Sequence, residues 1–122
     1  MSVVTTIPKI TVAEALALEL EEGEPFKTLD GEPLGQRGRT LWTSVDGTVE
    51  VGVWECDPRP FHADFPYGEL VRVVQGSLRC RGDDGSEFTL ETGDSMTFPP
   101  GWSGIWDVRA PLRKIFCGFK AS

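Results

Sequence analysis

The chain has 122 residues, enough for one compact domain and too few for two cores of ordinary size. Its 12 basic and 19 acidic residues leave a net charge of −7, which offers no attraction to nucleic-acid phosphates or anionic lipid. No apolar run approaches the roughly 20 residues that would cross a bilayer, so neither nucleic acid nor membrane is expected as a partner.

Residues 1–10 are polar and β-branched, and read as a loose arm or an added edge strand. They lack the basic start and apolar run of a signal peptide. Cys56, Cys80 and Cys117 are too few and too widely spaced for a disulfide framework or a C-x-x-C metal knuckle. A reducing, cytoplasmic setting is the expectation from both. Thr11-Val12-Ala13-Glu14 has the spacing of a capping box, and Ala15, Leu16, Ala17, Leu18 and Leu20 favour a helix over 12–22, stopped by Gly23 and Pro25. Five glutamates between Glu14 and Glu24 repel one another, so a surface arm that orders on docking is the other reading of this segment. Residues 1–25 are taken as the N-terminal arm and 26–122 as a single β domain.

From Phe26 onward, short β-type runs alternate with Gly, Pro and Asp turns and no helical period recurs. Arg39–Val45 and Thr48–Cys56 predict a hairpin turning at Asp46-Gly47, a dipeptide suited to a two-residue turn with positive φ at both positions. Val49, Val51 and Val53 alternate with Glu50 and Gly52, the pattern of a sheet with one face on the core. Residues 57–68 carry three prolines and predict an irregular edge segment. Strand signals follow at 69–75, 78–81, 87–91, 95–98, 103–109 and 113–119. About eight short, evenly spaced strands predict an all-β sandwich or barrel.

Two stretches carry a resemblance. His62-Ala63-Asp64, four residues, Glu69, six residues and Gly76 keep the spacing of a motif that reads histidine, any residue, histidine, glutamate, glycine, with Asp64 in the second histidine's place. Gly93, Pro99 and Gly101 match a second motif in register, with Gly104 where its final histidine belongs. Together they resemble the cupin superfamily, a double-stranded β-helix or jelly-roll barrel holding a metal or small ligand in its mouth. Gly52-Val53-Trp54-Glu55, Pro58, Phe61, Asp84-Gly85, Gly93-Asp94, Pro99-Pro100-Gly101-Trp102, Trp106 and Arg113-Lys114 are similar, over roughly 40–119, to the cupin domain of (S)-ureidoglycine aminohydrolase and its relatives. That resemblance implies a homodimer, and for the complete two-barrel aminohydrolase a manganese site.

His62 and Asp64 are two apart and share a face in an extended segment, and Glu69 could reach it from the next strand. His62, Asp64 and Glu69 are the candidate ligands for a divalent metal (Mn, Fe, Zn or Ni), with open positions for a small nitrogenous or carboxylated substrate. Against this, the chain's only histidine could simply bond a backbone carbonyl at the barrel rim. A metal-free alternative takes His62 as base, Asp64 as its orienting acid and Tyr67 as proton donor, as for an epimerase; catalytic candidates are thus His62, Glu69 and Tyr67. A third reading is a barrel that binds a small molecule, or only its own copy, without catalysis. Trp54, Trp102 and Trp106 could line a pocket but suit a core better. Arg72, Arg79, Arg81, Arg113 and Lys114 read as outward residues that keep the sheet soluble, and the cysteines as small buried residues.

Overall fold

The structure is a computed structural model and describes residues 9–120. Most of the expected arm at residues 1–10 therefore lies outside the described residues. One helix, α1 (Val12–Ala17), precedes twelve strands: β1 (Glu21–Glu22), β2 (Phe26–Lys27), β3 (Pro33–Leu34), β4 (Gln36–Thr43), β5 (Val49–Cys56), β6 (Pro60–Phe65), β7 (Gly68–Gln75), β8 (Leu78–Gly82), β9 (Glu87–Leu90), β10 (Ser95–Phe98), β11 (Trp102–Val108) and β12 (Leu112–Phe119). A six-stranded sheet has the order β1-β4-β5-β12-β7-β10 and a four-stranded sheet β6-β11-β8-β9, all antiparallel, with β2-β3 a separate hairpin. The two larger sheets face each other as a jelly-roll barrel. Their inner faces meet in one core that includes Cys56, Phe61, Val71, Val73, Cys80, Phe98 and Trp106. The all-β expectation holds, with more and shorter strands than the eight read from the sequence.

The capping box forms: Thr11 accepts from the Glu14 amide and Glu14 accepts from the Thr11 amide. The helix ends at Ala17, earlier than expected, because Leu18 is extended and Glu21–Glu22 leave the helix to pair with β4. Arg113 substitutes for a glycine stop. Its guanidinium donates to the carbonyls of Ala15, Leu16 and Leu18 at 2.8, 3.2 and 2.9 Å while its Nε pairs with Glu55 at 2.9 Å. Helix end and sheet are thereby tied together.

Three sequence expectations change here. Val49, Val51 and Val53 lie on the outer face of the six-stranded sheet, and Gly52, Trp54 and Cys56 point into the barrel; Val53 is buried by Ala15, Ile10, Leu18 and Leu20 of the arm. Alternation marks an apolar face but not which side of the sheet it is. The Asp46-Gly47 turn has positive φ only at Gly47 (+74°). It is a longer loop held by Asp46, whose Oδ1 accepts from Ser44, from the Thr48 amide and from the Thr48 hydroxyl. Those bonds hold the Asp46 carboxyl down to about 2. Residues 60–65 are a regular edge strand rather than an irregular segment, since Pro60 occupies the first position, where its missing N–H costs no ladder bond.

Candidate functional site

The strand register separates the residues the sequence grouped. In β6 the inward positions are Phe61, Ala63 and Phe65, so His62 and Asp64 share a face as expected, but it is the outer one. The His62 side chain is 42% exposed, with Nδ1 3.4 Å from Asp64 and Nε2 3.7 Å from Asp83. Ser103, opposite Asp64 on β11, donates to Asp64 at 2.8 Å and lies 3.2 Å from His62 Nε2. Glu69 points the other way, into the barrel from β7, the sheet opposite β6. His62, Asp64 and Glu69 therefore do not assemble, and neither do His62 and Tyr67, which lies at the barrel mouth.

The partner that the fold gives Glu69 is Lys114, which the sequence reading placed on the surface with Arg113. Lys114 shares the inward parity of Leu112 and Phe116, and its side chain is only 7% exposed. Nζ lies 3.3 Å from both Glu69 carboxylate oxygens. It sits 4.8 Å from the ring centroids of Trp54 and Trp106 and 5.8 Å from those of Phe65 and Phe116. A cation held by aromatic faces and one carboxylate is compensated in a region that strips it of water. Burial pushes the Lys114 ammonium toward deprotonation and the Glu69 carboxylate opposes that. The inward thiols of Cys56 and Cys80 are pushed up to about 12 by burial and stay neutral.

In front of this pair opens the mouth of the barrel, a cavity of about 390 Å³ between the β4–β5 loop, the β6–β7 turn and the end of β12. Glu69, Phe65 and Phe116 form its inner wall, and Glu50, Tyr67 and Lys120 its rim. Lys120 Nζ lies 5.1 Å from the Tyr67 ring centroid, and Glu50 accepts from Thr40 at 2.7 Å. Glu50 and Phe116 also border a second hollow of about 420 Å³ that reaches Trp54 and Arg39. Two of the sequence candidates, Glu69 and Tyr67, thus belong to one concavity, and the residues that complete it are Glu50, Lys120 and, behind the wall, Lys114. Strand parity was the signal for Lys114: in Leu112-Arg113-Lys114-Ile115-Phe116 it alternates in step with two apolar inward residues. Trp106 is core, 2% exposed, with Trp54 and Trp102 packed against it.

A divalent metal does not fit the residues present. Among the described residues no three His, Cys, Asp or Glu side chains stand close enough to share one. The cavity supplies two carboxylates, Glu69, already engaged by an ammonium, and Glu50 on the rim, which accepts from Thr40. Gly104, where the second motif has histidine, cannot carry a side chain: a Cβ there would lie 2.4 Å from the Arg81 carbonyl oxygen and 2.8 Å from Gly82 Cα.

Among solved structures, a protein of the DUF861 family from Pseudomonas syringae pv. tomato is 23% identical, with a TM-score of 0.76 over 85% of this chain and 45% of that one. The Clostridium difficile EutQ protein is 18% identical, TM-score 0.70, over 88% and 84% of the two chains. A Salmonella typhimurium protein named for ethanolamine utilization, protein Q, is 20% identical, TM-score 0.64, over 85% and 96%. The chain spans about half the length of the Pseudomonas protein. No curated protein matches it. These likenesses agree on the fold, and the EutQ-like cupin domain model matches residues 43–116, more than half of the sequence: the chain belongs to the EutQ-like cupin domain family.

Proposed function

We propose that this chain is a ligand-binding cupin barrel that takes a small metabolite in its mouth through hydrogen-bond donors on the ligand. The observation that carries the reading is the composition of the cavity. Two carboxylates, Glu50 and Glu69, converge on a hollow walled by Phe65 and Phe116 and sized for a small molecule. A ligand amine or hydroxyl would donate to the carboxylates while its carbon skeleton covers the rings, and an amine would also gain from the ring faces. The metal-dependent, ureidoglycine aminohydrolase-like reaction needs His62 beside Glu69, and the epimerase reading needs His62 beside Tyr67; His62 lies on the outer face of the four-stranded sheet, whereas Glu69 and Tyr67 line the mouth of the barrel. Binding without that chemistry is therefore the reading the geometry favours.

The names of similar proteins suggest a probe. Ethanolamine, with ethylene glycol and acetate as neutral and anionic counterparts, can be titrated into isotopically labelled protein while amide shifts are followed. The expected result is a saturable response at Thr48, Glu69 and Gly118 with the amine, lost in Glu50→Gln and retained in His62→Ala. A response centred on His62 and Ser103, or one led by acetate, would overturn the reading.

The proposal includes a homodimer through the outer face of the six-stranded sheet. The arm covers one half of that face. On the other half, pairing aligns Trp42, Val51, Cys117 and Leu70 in one row across four strands with no charge among them. Trp42 is 38% and Leu70 45% exposed. For a chain of net charge −7, a row free of acidic side chains is where a second copy can approach with least repulsion.

A further inference from the structure

We infer that the Lys114 ammonium is the built-in cation of this barrel: it occupies, against Glu69 on the inner sheet face, the place that a dissociable metal ion would need, and so closes the interior to divalent ions. The inference goes beyond the mouth ligand and does not depend on it.

Three independent features of the interior agree. First, the cation is fully furnished: one carboxylate at 3.3 Å through both oxygens and aromatic rings on several sides, two of them at 4.8 Å. Second, the interior is donor-rich where a metal needs acceptors. Besides the ammonium, the indole Nε1 of buried Trp106 is a donor with no hydrogen-bond partner among the described residues. Third, the position that could have lent a histidine is Gly104, packed against the Arg81 carbonyl and Gly82 too closely for any side chain. A divalent ion brought to Glu69 would face a like charge at contact distance, with Glu50 on the rim as the one further carboxylate of the cavity and no third ligand among the described residues. Lys114 acts through Glu69, whose carboxylate it holds at the cavity wall, and is a positioning residue.

Chemical rescue tests this. Lys114→Ala leaves a void shaped like a short alkylamine beside Glu69. The expected result is a melting temperature below wild type that rises on adding millimolar n-propylamine, present as the ammonium, and not on adding 1-propanol of the same shape. Wild type should respond to neither. Equal rescue by the alcohol would show that Lys114 only fills space and would overturn the inference, as would no rescue by the amine. Should Lys114→Ala fail to fold, the wild-type protein decides. Stripped by chelator, exposed to Mn²⁺, Zn²⁺ or Ni²⁺ and desalted, it should retain no metal that depends on Glu69. One equivalent that disappears in Glu69→Gln would refute a resident cation.

Discussion

Replacing Lys114 by methionine keeps the length and most of the packing of the side chain and removes its charge, which isolates the electrostatic part of the interior pair. Glu69, its side chain 15% exposed, loses its one cationic partner and stays largely buried. Removing one member of a buried pair costs about 3–5 kcal/mol. Because Glu69 borders the cavity and can draw water from it, the lower end applies, about 3 kcal/mol. For a domain of this size that is a fall in melting temperature of roughly 10 °C. Glu69→Gln with Lys114→Met removes both charges together and should recover at least half of the loss. Urea denaturation followed by tryptophan fluorescence reads Lys114→Met, Glu69→Gln and the double variant, since Trp54 and Trp106 flank the ammonium. A Lys114→Met protein as stable as wild type, or a double variant whose loss equals the sum of the single ones, would show that the two side chains are not energetically coupled.

Arg113→Met removes the bonds to Glu55 and to the helix-end carbonyls, and should cost about 2 kcal/mol and expose the arm to limited proteolysis ahead of β1, leaving the barrel intact. In native protein only Cys117, half-buried on the outer face, should react readily with a thiol reagent at pH 8, while Cys56 and Cys80 react after unfolding. Burial also gives these two thiols a pH signature. Their folded values lie above the unfolded one near 9, so their contribution is complete below about pH 9 and is lost as pH rises toward about 12; denaturation midpoints across that window, in wild type and Cys80→Ala, measure it. Leu70→Glu places a charge at the β7 end of the uncovered apolar row, on its most exposed member, and should shift sedimentation toward monomer with little change in melting temperature. A wild type that sediments as a monomer at all accessible concentrations would remove the dimer.

The sequence by itself determined the local features. Turn residues, period-two runs and the spacing of the two glycine-punctuated motifs were enough for an all-β jelly roll, and the Thr11–Glu14 capping box is chemistry between residues three apart. Glu69 was also legible as a site candidate, because its spacing from Gly76 follows the motif, whereas Tyr67 was named only as a proton donor for His62, a pairing the fold does not make. What only the tertiary structure decided was side. Alternation in β5 and β6 states that one face is apolar without saying which face meets the other sheet. The arm reversed the expected role of Val53 by covering it from outside, and the inward turn of Phe61, Ala63 and Phe65 sent His62 and Asp64 outward. The pairing of Lys114 with Glu69 joins strands 45 residues apart, and no local propensity encodes it. A lysine in an exposed-looking Arg-Lys pair becomes the interior cation because strand register aims it at a carboxylate and aromatic faces that compensate its charge.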